Sequence, residues 1–393
     1  MRRDRARTLR HVGVLLFAAS FVSFVVARLW LTHQDARQAV QHAAPAAAPR
    51  ARLQEHPEAP TVAVVNDPPP VTEPRVRKLR LAIVLCKFQD KPAETRPPRF
   101  YEDYFTRPGT GGMADYWRDV TLGTVDLSAS EVHGWFTMSH DSSEVLRLVF
   151  PGGRHTLVQW GKDTAAVHGI DLGKYDGVIV VQNWGVDHGD AGNGVVIVDQ
   201  NVDLIESTFI AHEMGHLFGL PHSFGENVSP CISASGEYCD AWDIMSAMNV
   251  FAYPGTFQGV HGIFGPGLNT FALRALGGLR DGRLLVIQRH NFSEPVELSP
   301  LNQQVQSGSL YAVEIKPDDS SSSMYTIEYR HKAVWDQGLP SDAVLIHEEK
   351  NLRSYLKRVL LVGDHYSTPA LNIEVVSIDA VSQKAIVRIG TNY

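Results

Sequence analysis

The stretch Ala211-His212-Glu213-Met214-Gly215-His216-Leu217-Phe218-Gly219-Leu220-Pro221-His222 concentrates the groups best able to do chemistry. His212 and His216 are four residues apart, so on a helix they share one face and can hold one metal ion. Glu213 beside them is a candidate general base. Gly219, just past the last helical turn, can take the left-handed conformation without steric cost and redirect the chain. That turn lets His222 approach as a third ligand. Three protein ligands with an open fourth position are the pattern of a catalytic zinc site, in contrast to a closed structural one. His-Glu-x-x-His alone also occurs in ordinary helices, and a lone histidine is more often a core or surface residue. The added Gly219 and His222 set this stretch apart.

The elements that must position these groups can be read from periodicity. A helix is expected over roughly residues 204–218, with Ile205, Phe209, Ile210, Met214 and Leu217 inward. Gly215 costs about 1 kcal/mol there relative to alanine, which points to close approach of a neighbouring segment. Apolar runs of strand length occupy 79–88, 177–182 and 194–199, and further strands are expected at 124–131 and 134–138. Helices are expected over 100–105, from 111 to near 123, and over 155–167. This alternation predicts a mixed sheet with helices packed on it. A short helix at 268–276 follows. Strands are then expected at 284–289, 310–316, 324–330, 343–347, 359–362, 371–378 and 385–389, with a polar hairpin tip at 318–323. The expected class is therefore α+β: a catalytic domain over 76–281 and an antiparallel β-rich subdomain over 282–393.

The 393 residues are 44% hydrophobic and 20% charged, enough for about two globular domains once the ends are set aside. Net charge is -7, and the Arg-rich first ten residues carry +4, leaving an acidic body that gives no support for nucleic-acid binding. The run 12–31, preceded by Arg2, Arg3, Arg5, Arg7 and Arg10, would reach about 30 Å as a helix. It reads as an uncleaved signal anchor with residues 1–11 as a cytoplasmic basic tail, or as a cleaved signal peptide. The anchor reading makes a single-pass membrane protein with the catalytic domain outside; both readings export the rest of the chain. Residues 32–75, rich in Ala, Pro and Gln, read as a flexible tether. In an exported chain Cys231 and Cys239 are expected to form a disulfide, with two free thiols or a second metal site as alternatives. Cys86 sits in an apolar run and is expected to be buried and inert. The segment Asp187-His188-Gly189-Asp190-Ala191-Gly192-Asn193 reads as a Gly/Asp turn or, with its dense oxygen ligands, as a calcium (Ca2+) loop.

The histidine motif resembles the zinc signature of the metzincin clan of metalloproteases. Asp243-Ile244-Met245-Ser246 resembles that clan's methionine turn, with Met245 as the floor beneath the metal; Ala247 stands where the astacins of the clan carry a tyrosine. Ala114-Asp115-Tyr116-Trp117-Arg118-Asp119-Val120-Thr121-Leu122-Gly123 is similar to the immune-inhibitor-A-like metalloproteases. So is the stretch from Ile327-Glu328-Tyr329-Arg330 through Trp335-Asp336-Gln337-Gly338-Leu339-Pro340 to Leu345-Ile346-His347. The resemblance covers about residues 79–350. It implies a zinc endopeptidase acting on protein or peptide substrates, with Zn2+ on His212, His216 and His222 and Glu213 as the base. By analogy with the clan, a substrate strand could add to a sheet edge near 194–199. Glu328, Arg330 and Asp336 are expected to pair strands and hold the β-rich subdomain onto the catalytic one. Two other readings stay open: a tethered adhesion or binding module with a structural metal, and the same chemistry aimed at cell-wall peptides or another amide.

Overall fold

The strand Leu81–Lys87 is buried at every position but the last, as a parallel strand covered on both faces must be. Its side chains alternate between two cores: Leu81, Ile83 and Leu85 pack in one, Ala82, Val84 and Cys86 in the other. It lies inside a five-stranded sheet ordered Glu131–Thr137, Leu81–Lys87, Gly177–Gln182, Val195–Val198, Gly189–Asp190. Only the last pairing is antiparallel. The first core joins this sheet to the helices Pro98–Phe105, Met113–Val120 and Ser207–Leu217; the second joins it to the helix Gly153–Val167.

The computed structural model describes residues 76–391 except 227, 229–230, 232, 281, 288–291, 304–308, 317–322 and 370. These residues fall in one compact unit, Val62–Tyr393. The fold is α+β with sheet predominating. The basic tail, the 12–31 segment, the 32–75 tether and most of the hairpin tip at 318–323 lie outside the described residues.

The single-pass membrane assignment and its transmembrane helix are corrected. Among the described residues no helix is long and apolar enough to cross a membrane. The longest, Gly153–Val167, has 15 residues and reaches about 22 Å, short of a hydrocarbon core of about 30 Å.

The later part of the chain forms two more sheets around a third core. The six-stranded one is ordered Leu284–Ile287, Ala312–Ile315, Met324–Arg330, Ala343–Lys350, Arg353–Leu360, Phe224–Gly225. Its centre is antiparallel, but both outer pairings are parallel, against the purely antiparallel expectation. The other sheet, antiparallel throughout, is ordered Ser293–Leu298, Lys384–Thr391, Leu371–Asp379, His365–Ser367. The strand Phe224–Gly225 comes from just after His222, so the β-rich part reaches back into the histidine segment.

Several boundaries shift for identifiable reasons. The strand expected at 124–131 is broken by a turn, with the Ser130 amide on the Leu127 carbonyl, and leaves only Val125–Asp126 before Glu131–Thr137. Residues 204–205 form a strand on His261–Gly262 and so stay out of the helix, which begins at Ser207. The strand expected at 359–362 begins at Arg353, after a turn in which Asn351 and Leu352 take φ of 52° and 58°. Asn351 is a residue such turns favour, but Leu352 is not.

Candidate metal centre

The helix Ser207–Leu217 carries His212, Glu213 and His216. Its start is tied down by the Tyr104 hydroxyl on Ser207 Oγ at 2.8 Å. Its end is closed by Gly219, at φ 91°: the Leu220 amide returns to the Gly215 carbonyl at 3.0 Å and the Gly219 amide to His216 at 2.9 Å. That pair of bonds is the Schellman closure, which satisfies two carbonyls the helix would otherwise leave open. The chain then doubles back and brings His222 beside His216.

The three rings converge. His216 Nε2 lies 3.1 Å from His212 Nε2 and 3.0 Å from His222 Nε2, and ligand atoms of all three fall within 4.8 Å of one another. Each ring has its other nitrogen engaged. Nδ1 of His212 is 2.7 Å from the Ile244 carbonyl, Nδ1 of His216 is 2.9 Å from the Leu220 carbonyl, and Nδ1 of His222 is 2.7 Å from Glu237 Oε1. An acceptor at each Nδ1 assigns the proton there and leaves the lone pair on Nε2. The His216 lone pair then faces those of His212 and His222 at about van der Waals distance, a repulsive arrangement that a cation among the rings would relieve. Donors on one tetrahedral zinc stand about 3.3 Å apart, so the observed spacing suits a divalent ion after a few tenths of an ångström of opening. A proton is a poor substitute: burial, then the neighbouring His216, pushes His212 down to about 3, and burial also lowers His216.

Glu213 is buried and accepts the Asp190 amide at Oε2, 2.5 Å away. Burial pushes its carboxyl up to about 7, although that amide and Arg154 pull the other way. A base poised near neutral pH suits proton transfer. Met245 is fully buried against the helix. A methyl built on Gly215 would overlap Met245 Sδ and stand 2.9 Å from Cε, which is the close approach that the glycine suggested.

Cys231 and Cys239 are joined in a disulfide, and the loop it closes contains two residues that sequence spacing did not single out. One is Glu237, the partner of His222. The other is Tyr238, whose hydroxyl is 3.0 Å from His222 Nε2 and whose backbone holds φ 58°. No periodicity marks either residue; adjacency to Cys239 was the one available signal. Asp187, in the segment considered for calcium, places both carboxylate oxygens on Arg154 at 2.9 and 3.0 Å. The sheet edge near 194–199 is partly covered, because Gly189–Asp190 pairs with Val195 and Val196. Cys86 is buried and free, its thiol pushed up to about 12 by burial.

No family model and no curated protein matches the chain.

Proposed function

We propose that this chain is a zinc-dependent endopeptidase with a metzincin-like catalytic half, working on protein substrates outside the cytoplasm. The convergence of three Nε2 lone pairs beside a buried glutamate is the observation that carries this reading. His212, His216 and His222 would hold the ion, and three imidazoles favour zinc among the common divalent metals. A zinc ion there supplies Lewis-acid chemistry, acidifying a water and polarising a carbonyl. Glu213 would take a proton from the attacking water as the water oxygen adds to the scissile carbonyl carbon. As the carbon–nitrogen bond breaks, Glu213 passes the proton to the leaving amine. The Asp190 amide fixes the carboxylate during both transfers. A disulfide in the wall of the site supports an oxidising compartment.

A purely structural metal would need no base, and Glu213 is a buried carboxyl held in place beside the ligands. The test uses purified protein and unfolded casein. Glu213→Ala is expected to keep its zinc and lose at least about 100-fold in cleavage rate, and a chelator should abolish cleavage by the wild type. Undiminished cleavage by Glu213→Ala would refute the reading.

A further inference from the structure

A cavity of about 400 Å³ opens along the first turns of the helix Ser207–Leu217. Tyr101, Tyr104 and Phe105 form one wall, and Val181, Ile197 and Ile210 are among the aliphatic residues that line the rest. Its volume is in the range of small-ligand sites. Three carboxylates border it, and two are engaged. Asp199 is bound by the Arg96 guanidinium and by the Tyr101 hydroxyl at 2.7 Å, and Asp187 is held by Arg154. The third, Glu206, is half exposed, and its partner among the described residues is the His188 ring at 3.6 Å. Burial favours the neutral form of that ring.

The cavity is close to the chemistry. Ile210 and Glu213, three residues apart, share one helix face, and Glu206 stands at the N-cap about one turn before Ile210. Along the axis Ile210 is about 4.5 Å, and Glu206 about 10 Å, from Glu213. The segment that walls the cavity at Gly185 to His188 continues directly to Asp190, whose amide holds the Glu213 carboxylate. An extended peptide advances about 3.4 Å per residue. A peptide bond at Glu213 therefore has the cavity within reach of a side chain at, or one residue from, the cleaved bond.

We propose that this cavity is a substrate side-chain subsite selective for lysine or arginine, a conclusion that rests on the peptidase reading above. The aliphatic stem lies on the aromatic and aliphatic walls and the cationic head meets Glu206, the arrangement long basic side chains adopt over apolar surface. A glutamate or aspartate side chain placed there meets a like charge.

Two measurements test this, one of them independent of cleavage. Ligand-observed NMR compares N-acetyl-lysine amide with N-acetyl-norleucine amide on the wild type and on Glu206→Gln. The lysine probe is expected to bind about three- to fivefold more tightly to the wild type. That preference should vanish in Glu206→Gln while norleucine binding stays unchanged. Mapping of casein cleavage sites should then show Lys or Arg enriched at one position within one residue of the cleaved bond, and the enrichment lost in Glu206→Gln. Glu206 precedes the helix and its side chain caps no amide, so the variant leaves the fold intact. Equal binding of the two probes by the wild type, a lysine preference that survives Glu206→Gln, or cleavage without basic enrichment overturns the subsite. Lysine preference with no cleavage of casein overturns the peptidase reading, and with it the substrate role, and leaves a cavity that binds basic side chains.

Discussion

His222, the one proposed ligand outside the helix that carries the other two, has its Nδ1 on Glu237. That carboxylate accepts a hydrogen bond from Nδ1–H, with Nδ1 and Oε1 2.7 Å apart, which fixes the tautomer and raises the basicity of Nε2. Glu237→Ala is expected to weaken zinc binding about 10- to 100-fold with little change in thermal stability of the metal-free protein. Competition with a chromophoric chelator measures this, and an unchanged affinity would show that the ring is oriented by other contacts. Gly215 poses the opposite case. Alanine there gains about 1 kcal/mol of helix propensity but drives a methyl into Met245, and overpacking costs about 1–3 kcal/mol. Gly215→Ala should therefore lower the denaturation midpoint, and lower it by less when made in a Met245→Ala background, where the clash is gone although the cavity itself is costly; a stabilised single variant would mean the methionine can move aside. His212, Glu213, His216 and His222 were legible because their geometry follows from helical spacing and one glycine. Glu237 and Tyr238 were not, because a disulfide loop places them, and loop closure has no period to read.

Among the elements, the Leu81–Lys87 strand and the histidine helix were legible from their apolar patterns. The hairpin Tyr253–Phe257/Val260–Phe264 was not, since its strands include Pro254 and Gly255 and four of their ten residues are exposed. Glu328, Arg330 and Asp336 were expected to hold the β-rich part onto the part before it, and Arg330 is fully buried and forks onto Asp336 at 2.6 and 2.9 Å. Glu328 accepts the Thr270 amide at 2.7 Å and Asp336 the Gly267 amide at 2.8 Å. These bonds tie the six-stranded sheet to the segment after the methionine. His347 completes the group, 2.9 Å from Asp240. Burial opposes its charge, but Glu328 and Asp240 outweigh that and raise it to about 9 from 6.5. The folded state thus holds the proton more tightly than the unfolded chain. The resulting stability, on the order of 3 kcal/mol, is present in full below pH 6.5 and is lost as pH rises through 9. His347→Gln should flatten the fall in melting temperature between those values; a wild-type protein equally stable at both would show that the ring is neutral in the fold.

Across the whole molecule, the α+β class followed from the change of pattern near residue 282, but the way the parts join did not. Phe224–Gly225 leaves its neighbours and pairs with Tyr355 and Leu356. A two-residue strand lacks a period, so nothing in its composition announces the partner.

That short pairing sets an order of events during synthesis. His212 and His216 emerge from the ribosome on a single helix, but the backbone that steadies His222 waits for the strand Arg353–Leu360. A nascent chain therefore carries all three histidines well before the strand that anchors the segment after His222 has been made.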